Sequence, residues 1–297
     1  MSTGLYAVQH IRRMRGGAQS HLMRASDGAF YVVKFQNNPQ HLRVLANEMF
    51  ASRLGQWLGL PVPRVEVIEV SDWLITHTQD LRVEVSGSVV PCSTGRQLAS
   101  LHPDLEAQVF EHLPEAMSSR VANMKDFPRS LVLDKWTANS DGRQAVFVRE
   151  PRDRRYRTMF IDQGYCFNAG EWNFPDLVLH GIYYRNYVYT GVTGWESFEP
   201  ALTRAEEADP IDLWRCAEPI PPEWYEYDYD GLNRMVESLY QRRRIIRDLI
   251  SAFRNSSRNP FPNWKDGSTA RQHSEVAAAP FHCNPPLPAI ALKGSSL

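Results

Sequence analysis

Cysteine is scarce and scattered: four in 297 residues, at positions 92, 166, 216 and 283, with no C-x-x-C pair. That spacing argues against a zinc ribbon or finger and gives no basis for a disulfide framework. Long apolar runs are missing too. None approaches the roughly 20 residues needed to span a bilayer, and the opening MSTGLYAVQHIRRMRGG lacks the apolar stretch of a signal peptide. Excess charge is also absent: 33 Lys and Arg against 34 Asp and Glu leave a formal net charge of −1. No global field draws the chain to nucleic acid or to an anionic membrane, so partners must be read from local sites. The nine histidines show no H-E-x-x-H or H-x-H spacing and no G-x-S-x-G elbow occurs, which leaves the metallohydrolase and serine-hydrolase patterns without support. The expectation is a soluble, cytoplasmic protein with no membrane partner, and nucleic acid is not an expected partner.

What is present is ordinary globular chemistry, 43% hydrophobic and 23% charged, enough for one large domain or two small lobes sharing a cleft. A strand is expected around Tyr6 to Ile11, and another over Ala29 to Phe35 after the turn signal Ser26-Asp27-Gly28. From Pro39 to Gly59, apolar residues recur at spacings of three and four, predicting a helix stopped by Gly59 and Pro61. Residues 65–70 and 72–77 read as two strands, and segments near 104–117 and 128–138 as helices. Residues 144–149 and 156–161 read as a hairpin, and 231–254 as one long amphipathic helix. Beyond about residue 255 the Ser, Pro, Asn and Ala content predicts disorder.

Candidate chemistry clusters in order along this frame. Lys34 ends the strand YVVKF, and Glu48 sits beside the apolar stripe of the following helix. Such a lysine can neutralise nucleotide phosphates while a helix glutamate holds it in place. Upstream, Gly16 and Gly17, with Ser20, form a loop whose backbone N–H groups could approach phosphates closely, although no Walker motif is present. Downstream, a helical run ends in Asn139-Ser140-Asp141-Gly142, and the strand MFI ends in Asp162-Gln163-Gly164. Two carboxylates at such loop edges suit phosphoryl transfer, one orienting an acceptor hydroxyl and the other ligating magnesium.

The order glycine loop, V-V-K, helix Glu, N-x-D, then hydrophobic-Asp-x-Gly resembles the HipA-like branch of the protein-kinase superfamily over roughly residues 10 to 250. The resemblance implies an α+β, two-lobed protein-kinase-like fold, with a small mixed N-lobe over 1–78, a larger mainly helical C-lobe over 79–255 and a tail over 256–297. It implies ATP and Mg2+ as cofactors, Lys34 on the phosphates with Glu48 as its partner, Asp141 as catalytic aspartate and Asp162 as metal ligand. Asn139 belongs to the same N-x-D loop, and Arg143 would replace a basic residue beside the transferring phosphate. The metal-binding asparagine usual after the catalytic aspartate is here Val146, and Gln144 is the nearest substitute. A second register, Asp134 with Asn139, fits D-x-x-x-x-N; Asp134 lies in a helical pattern, where a helix-face carboxylate is the ordinary explanation.

Other features have plainer explanations. The run 241–244 with Arg247 reads as the solvated side of an amphipathic helix. The tyrosines at 183–189 read as core packing before a substrate groove, and the acidic, aromatic stretch 223–230 as a surface loop. Three activities remain open: a protein Ser/Thr kinase, a small-molecule or lipid kinase, and a nucleotide-binding pseudokinase acting as an interaction module. The expected partners are a nucleotide and an unknown protein or small-molecule acceptor.

Overall fold

In a computed structural model that describes residues 4–265, the β-branched and aromatic segments of the first hundred positions close into a five-stranded barrel. β1 (Leu5–Arg13), β2 (His21–Ala25) and β3 (Phe30–Lys34) form an antiparallel meander. Helix α1 (Val44–Trp57) leads to β4 (Val65–Val70), which pairs parallel to β1. Helix α2 (Asp72–His77) and the hairpin β5 (Arg82–Val85) and β6 (Ser88–Pro91) intervene before β7 (Gly95–Leu101). β7 runs antiparallel to both β3 and β4 and closes the barrel. Met23, Tyr31, Val33, Ile68 and Ala99 are fully buried in its core. The barrel thus takes a strand from beyond residue 78, out of the stretch the sequence reading gives to the larger lobe.

The second layer begins with β8 (Gln108–Phe110) and α3 (Asp126–Trp136), then the hairpin of β9 (Gln144–Arg149) and β10 (Arg157–Ile161). It ends in helices α4 (Ala201–Glu206), α5 (Pro210–Ala217), α6 (Tyr229–Arg242) and α7 (Ile246–Arg254). α1 packs with α3, α5 and β4, so one apolar cluster runs from this helix through α3 to α7. Among the described residues no helix is long and apolar enough to cross a membrane.

Four expectations are corrected. Residues 72–77 are helical, because Ser71 caps the first turn by accepting a hydrogen bond from the Leu74 amide. The helix expected near 104–117 is absent; Gln108–Phe110 instead pairs with the edge of β9, and a 3-10 helix follows at Glu115–Arg120. The long helix over 231–254 is two, separated by a 3-10 turn at Arg243–Ile245, where Arg242 bonds inward to the carbonyls of Lys135 and Phe174. Disorder does not begin at 256, since Phe261 is buried against Tyr189, Phe198 and Phe253. The remainder of the expected tail, 266–297, lies outside the described residues.

Candidate active site

Lys34 is the last residue of β3, and its side chain lies across the gap between the barrel and the second layer. Its Nζ donates to Glu48 of α1 and, at 2.7 Å, to Oδ1 of Asp162, the residue after β10. Burial alone would lower the ammonium's pKa, but the two carboxylates raise it above the usual lysine value. Asp162 is likewise opposed by burial and nevertheless held below the usual carboxylate range by Lys34. Burial pushes the Glu48 carboxyl up, against the pull of Lys34. The cluster is a fixed cation with an ionised carboxylate beside it.

Local backbone aims Asp162. Its φ of 61° is left-handed, a region that non-glycine residues occupy uncommonly, and it turns the chain sharply out of β10. Gly164 follows because α1 presses on it: a Cβ there would sit 2.5 Å from Val44 Cγ2. Asn47, beside Glu48, then grips this loop. Its Nδ2 donates to the carbonyls of Gly164, Cys166 and Ala169, at 3.0, 2.9 and 2.7 Å, and its Oδ1 accepts from Trp172.

A cleft of about 880 Å³ brings together Gly16, Gly17, Ser20, Lys34, Glu48, Asp141, Arg143, Gln144 and Asp162. The glycine loop joins β1 to β2, tied across its base by Met14 N–H to Ser20 O at 2.8 Å. Gly16 has φ +118°, which a side-chain-bearing residue rarely adopts. Asp141 is exposed, and one of its oxygens accepts from the Gly142 amide at 2.7 Å. The Gln144 side chain lies near Asp162 and adds slightly to the depression of its carboxyl pKa.

Two candidates point elsewhere. Arg143, expected beside the transferring phosphate, is 3% exposed and commits its guanidinium inward. It forms a two-pronged ion pair with Asp134 and also donates to Gln163 Oε1 at 2.6 Å and Ile161 O at 3.1 Å. Asn139 is also buried; its Nδ2 donates to Asp134 at 2.9 Å, and its Oδ1 accepts from the Asp141 amide at 3.1 Å. Asp134 is therefore no solvated helix-face carboxylate but the centre of a sealed strut joining the loop at 139–143 to the loop at 161–163. Lys135 beside it donates to the carbonyls of Leu177, Val178 and His180, and burial lowers its pKa to about 8. The loop so held supports Asp141 from behind, through Gly181 N–H to Asp141 O at 2.8 Å.

Sequence reading missed Asn47, Gln163 and the role of Asp134. A polar residue inside an apolar helical stripe was the available signal for Asn47 and for Asp134. Gln163 carried none.

Among the described residues no three His, Cys, Asp or Glu side chains form a metal cage. Magnesium needs none: it takes one or two carboxylates and completes its shell with water and phosphate oxygens. Asp162, with Gln144 against it and Asp141 in the same cleft, offers hard oxygen donors of that kind.

A β-barrel and a helical layer meeting over a Lys–Glu–Asp cluster define a protein-kinase-like α+β fold. The family model described as HipA-like kinase matches residues 7–147, so this stretch of the chain is similar to that family. The match ends before Asp162, so that residue rests on geometry alone. A crystal structure of the Golgi casein kinase is 11% identical with a TM-score of 0.52, over 84% of this chain and 74% of that one. The structure of hydra Fam20 with sugar is 11% identical with a TM-score of 0.50, over 87% and 89%. The Helicobacter pylori proinflammatory kinase CtkA is 14% identical with a TM-score of 0.48, over 78% and 93%. Among curated proteins none matches.

Proposed function

We propose that this chain is an ATP- and magnesium-dependent phosphotransferase that moves the γ-phosphate to a hydroxyl acceptor, with protein Ser or Thr the acceptor that the family resemblance implies. Family and fold support kinase-type phosphotransfer in general. The observation that carries the finer reading is Lys34, held charged between Glu48 and Asp162 on the wall of a cleft large enough for a nucleotide.

In this reading the ammonium of Lys34 turns from Asp162 towards phosphate oxygens, while Glu48 keeps it in place. Amides of the Gly16-Gly17 loop and Ser20 cover the phosphates. Asp162 and Gln144 would hold magnesium, which would supply positive charge against the phosphates. Asp141, exposed at the cleft, accepts the hydrogen bond of the incoming hydroxyl and aligns it for attack. Asn139 and Arg143 act indirectly, by fixing the loops that carry Asp141 and Asp162. Val146 lines the cleft where the resemblance expects a metal-binding asparagine, and this favours the pseudokinase as the second reading.

Calorimetry with MgATP on the wild type, Lys34→Ala and Asp162→Ala is the direct test. Magnesium-dependent binding that weakens in both variants is the expected result; no nucleotide binding by folded wild type would overturn the proposal. Phosphate transfer by the wild type but not by Asp141→Ala separates the enzyme from the pseudokinase.

A further inference from the structure

The hairpin β5–β6 is inserted between β4 and β7 and is not part of the barrel. Its inner side chains fix it firmly: Leu81, Val83 and Cys92 are buried in the barrel-side apolar cluster. Its turn is Ser86-Gly87, both at positive φ, the pair that matches the twist of a tight hairpin. In its register Val85 faces Ser88 and Glu84 faces Val89. Alternate residues of an antiparallel strand bond to opposite sides. The ladder closest to the turn occupies Val85, so the N–H and C=O of Glu84 point to the free edge of β5.

That free edge is not left to water. The side-chain amide of Gln19 takes both groups of Glu84, donating from Nε2 to Glu84 O at 2.9 Å and accepting at Oε1 from Glu84 N–H at 2.7 Å. Arg13 donates to the same Oε1. Two residues on, the ring of His21 lies 3.3 Å from Arg82 O, the next carbonyl on that edge. Gln19 itself sits in the glycine loop with φ 49°, a left-handed backbone that an unbranched glutamine does not adopt without support. Its amide N–H bonds to Gly16 O at 3.1 Å, so the strained residue directly shapes the glycine turn.

We infer that Gln19 is a positioning residue: it mimics a strand partner for Glu84, and through it the β5–β6 hairpin holds the Gly16-Gly17 loop in the shape that receives nucleotide phosphates. The inference rests on the phosphotransferase reading for its ligand, but the clamp is measurable without any ligand. A loop fixed in advance loses less freedom on binding, so phosphate affinity depends on the clamp while nucleoside affinity does not.

The experiment uses the full chain as wild type, Gln19→Ala and Glu84→Pro. The proline removes the N–H that Gln19 accepts and leaves the β5–β6 ladder whole, so a folding defect at position 19 alone cannot mimic the result. Hydrogen exchange of residues 14–20 without nucleotide should quicken about tenfold in both variants, with the thermal midpoint unmoved. The Kd for MgATP should rise about tenfold while that for adenosine stays within about twofold. Unchanged exchange in both variants, or faster exchange with MgATP and adenosine equally affected, overturns the inference. Wild type that binds no MgATP overturns the function proposed above and the positioning role together, and the exchange data then still decide whether the clamp exists.

Discussion

Two buried ion clusters flank the same cleft, and they differ in one respect. In Lys34–Glu48–Asp162 the side chain of Asp162 keeps 21% of its surface exposed, whereas in Arg143–Asp134 the two side chains are 1% and 0% exposed. The first can exchange a protein partner for a ligand. The second cannot, since its donors end on Asp134, Gln163 and a backbone carbonyl. Charged residues in a kinase-like motif are therefore of two kinds, and solvent access separates them where motif position does not.

The comparison breaks most visibly at Asp134. Asp134→Ala strands the Arg143 guanidinium in a sealed site and should cost about 3–5 kcal/mol of stability in urea unfolding. A variant that kept its stability but lost phosphate transfer would move Asp134 into the chemistry. Asp162→Asn should do the reverse. Transfer falls by about 10²–10³-fold while unfolding shifts by only about 1 kcal/mol, because Lys34 retains Glu48.

The pH response sharpens the contrast, because Lys34 and Asp162 are shifted in opposite directions, each away from neutrality. Lys34 is raised, so its contribution is complete below its unfolded value of about 10.4 and is lost only as pH climbs through the higher folded value. Asp162 is lowered, so its contribution holds above about 3.9 and is lost as pH falls through its folded value. Acid sensitivity should come instead from His21, lowered to about 4 by burial and by neighbouring His10 and Arg13, against weaker support from Arg82 O and Asp80. The unfolded chain binds that proton first, so stability should decline by at most about 3 kcal/mol between pH 6.5 and 4. His21→Gln should flatten the melting-temperature profile over that window. The smallest effect is expected at Gly16→Ala. A Cβ there meets nothing within 4 Å, so only the backbone at φ +118° resists, costing about 1 kcal/mol and a few-fold in MgATP affinity.

Period-two and period-three-to-four patterns carried most of the architecture: β3, β4, the β9–β10 hairpin, α1 and α3 all lie where the sequence places them. The failures share a cause. Residues 72–77 and 108–110 took their form from a single cap and a single edge pairing, neither of which a short apolar run announces. At the site, Lys34 and Glu48 were legible because strand end and helix stripe are local patterns, and the structure joins them to Asp162. Arg143 was misplaced because direction is not written in the sequence. A basic residue after N-x-D can turn towards a phosphate or towards a buried carboxylate, and only the position of α3 shows which.

The adjacency of Asn47 and Glu48 on α1 has a mechanical consequence. One side chain grips the loop after Asp162, and its neighbour grips Lys34. A shift of this helix by an ångström or two would release both grips together, as a bolt with two teeth leaves both slots at once. Placement of the Lys34 ammonium and ordering of the loop behind Asp162 are therefore one event, and a ligand that stabilises either stabilises both.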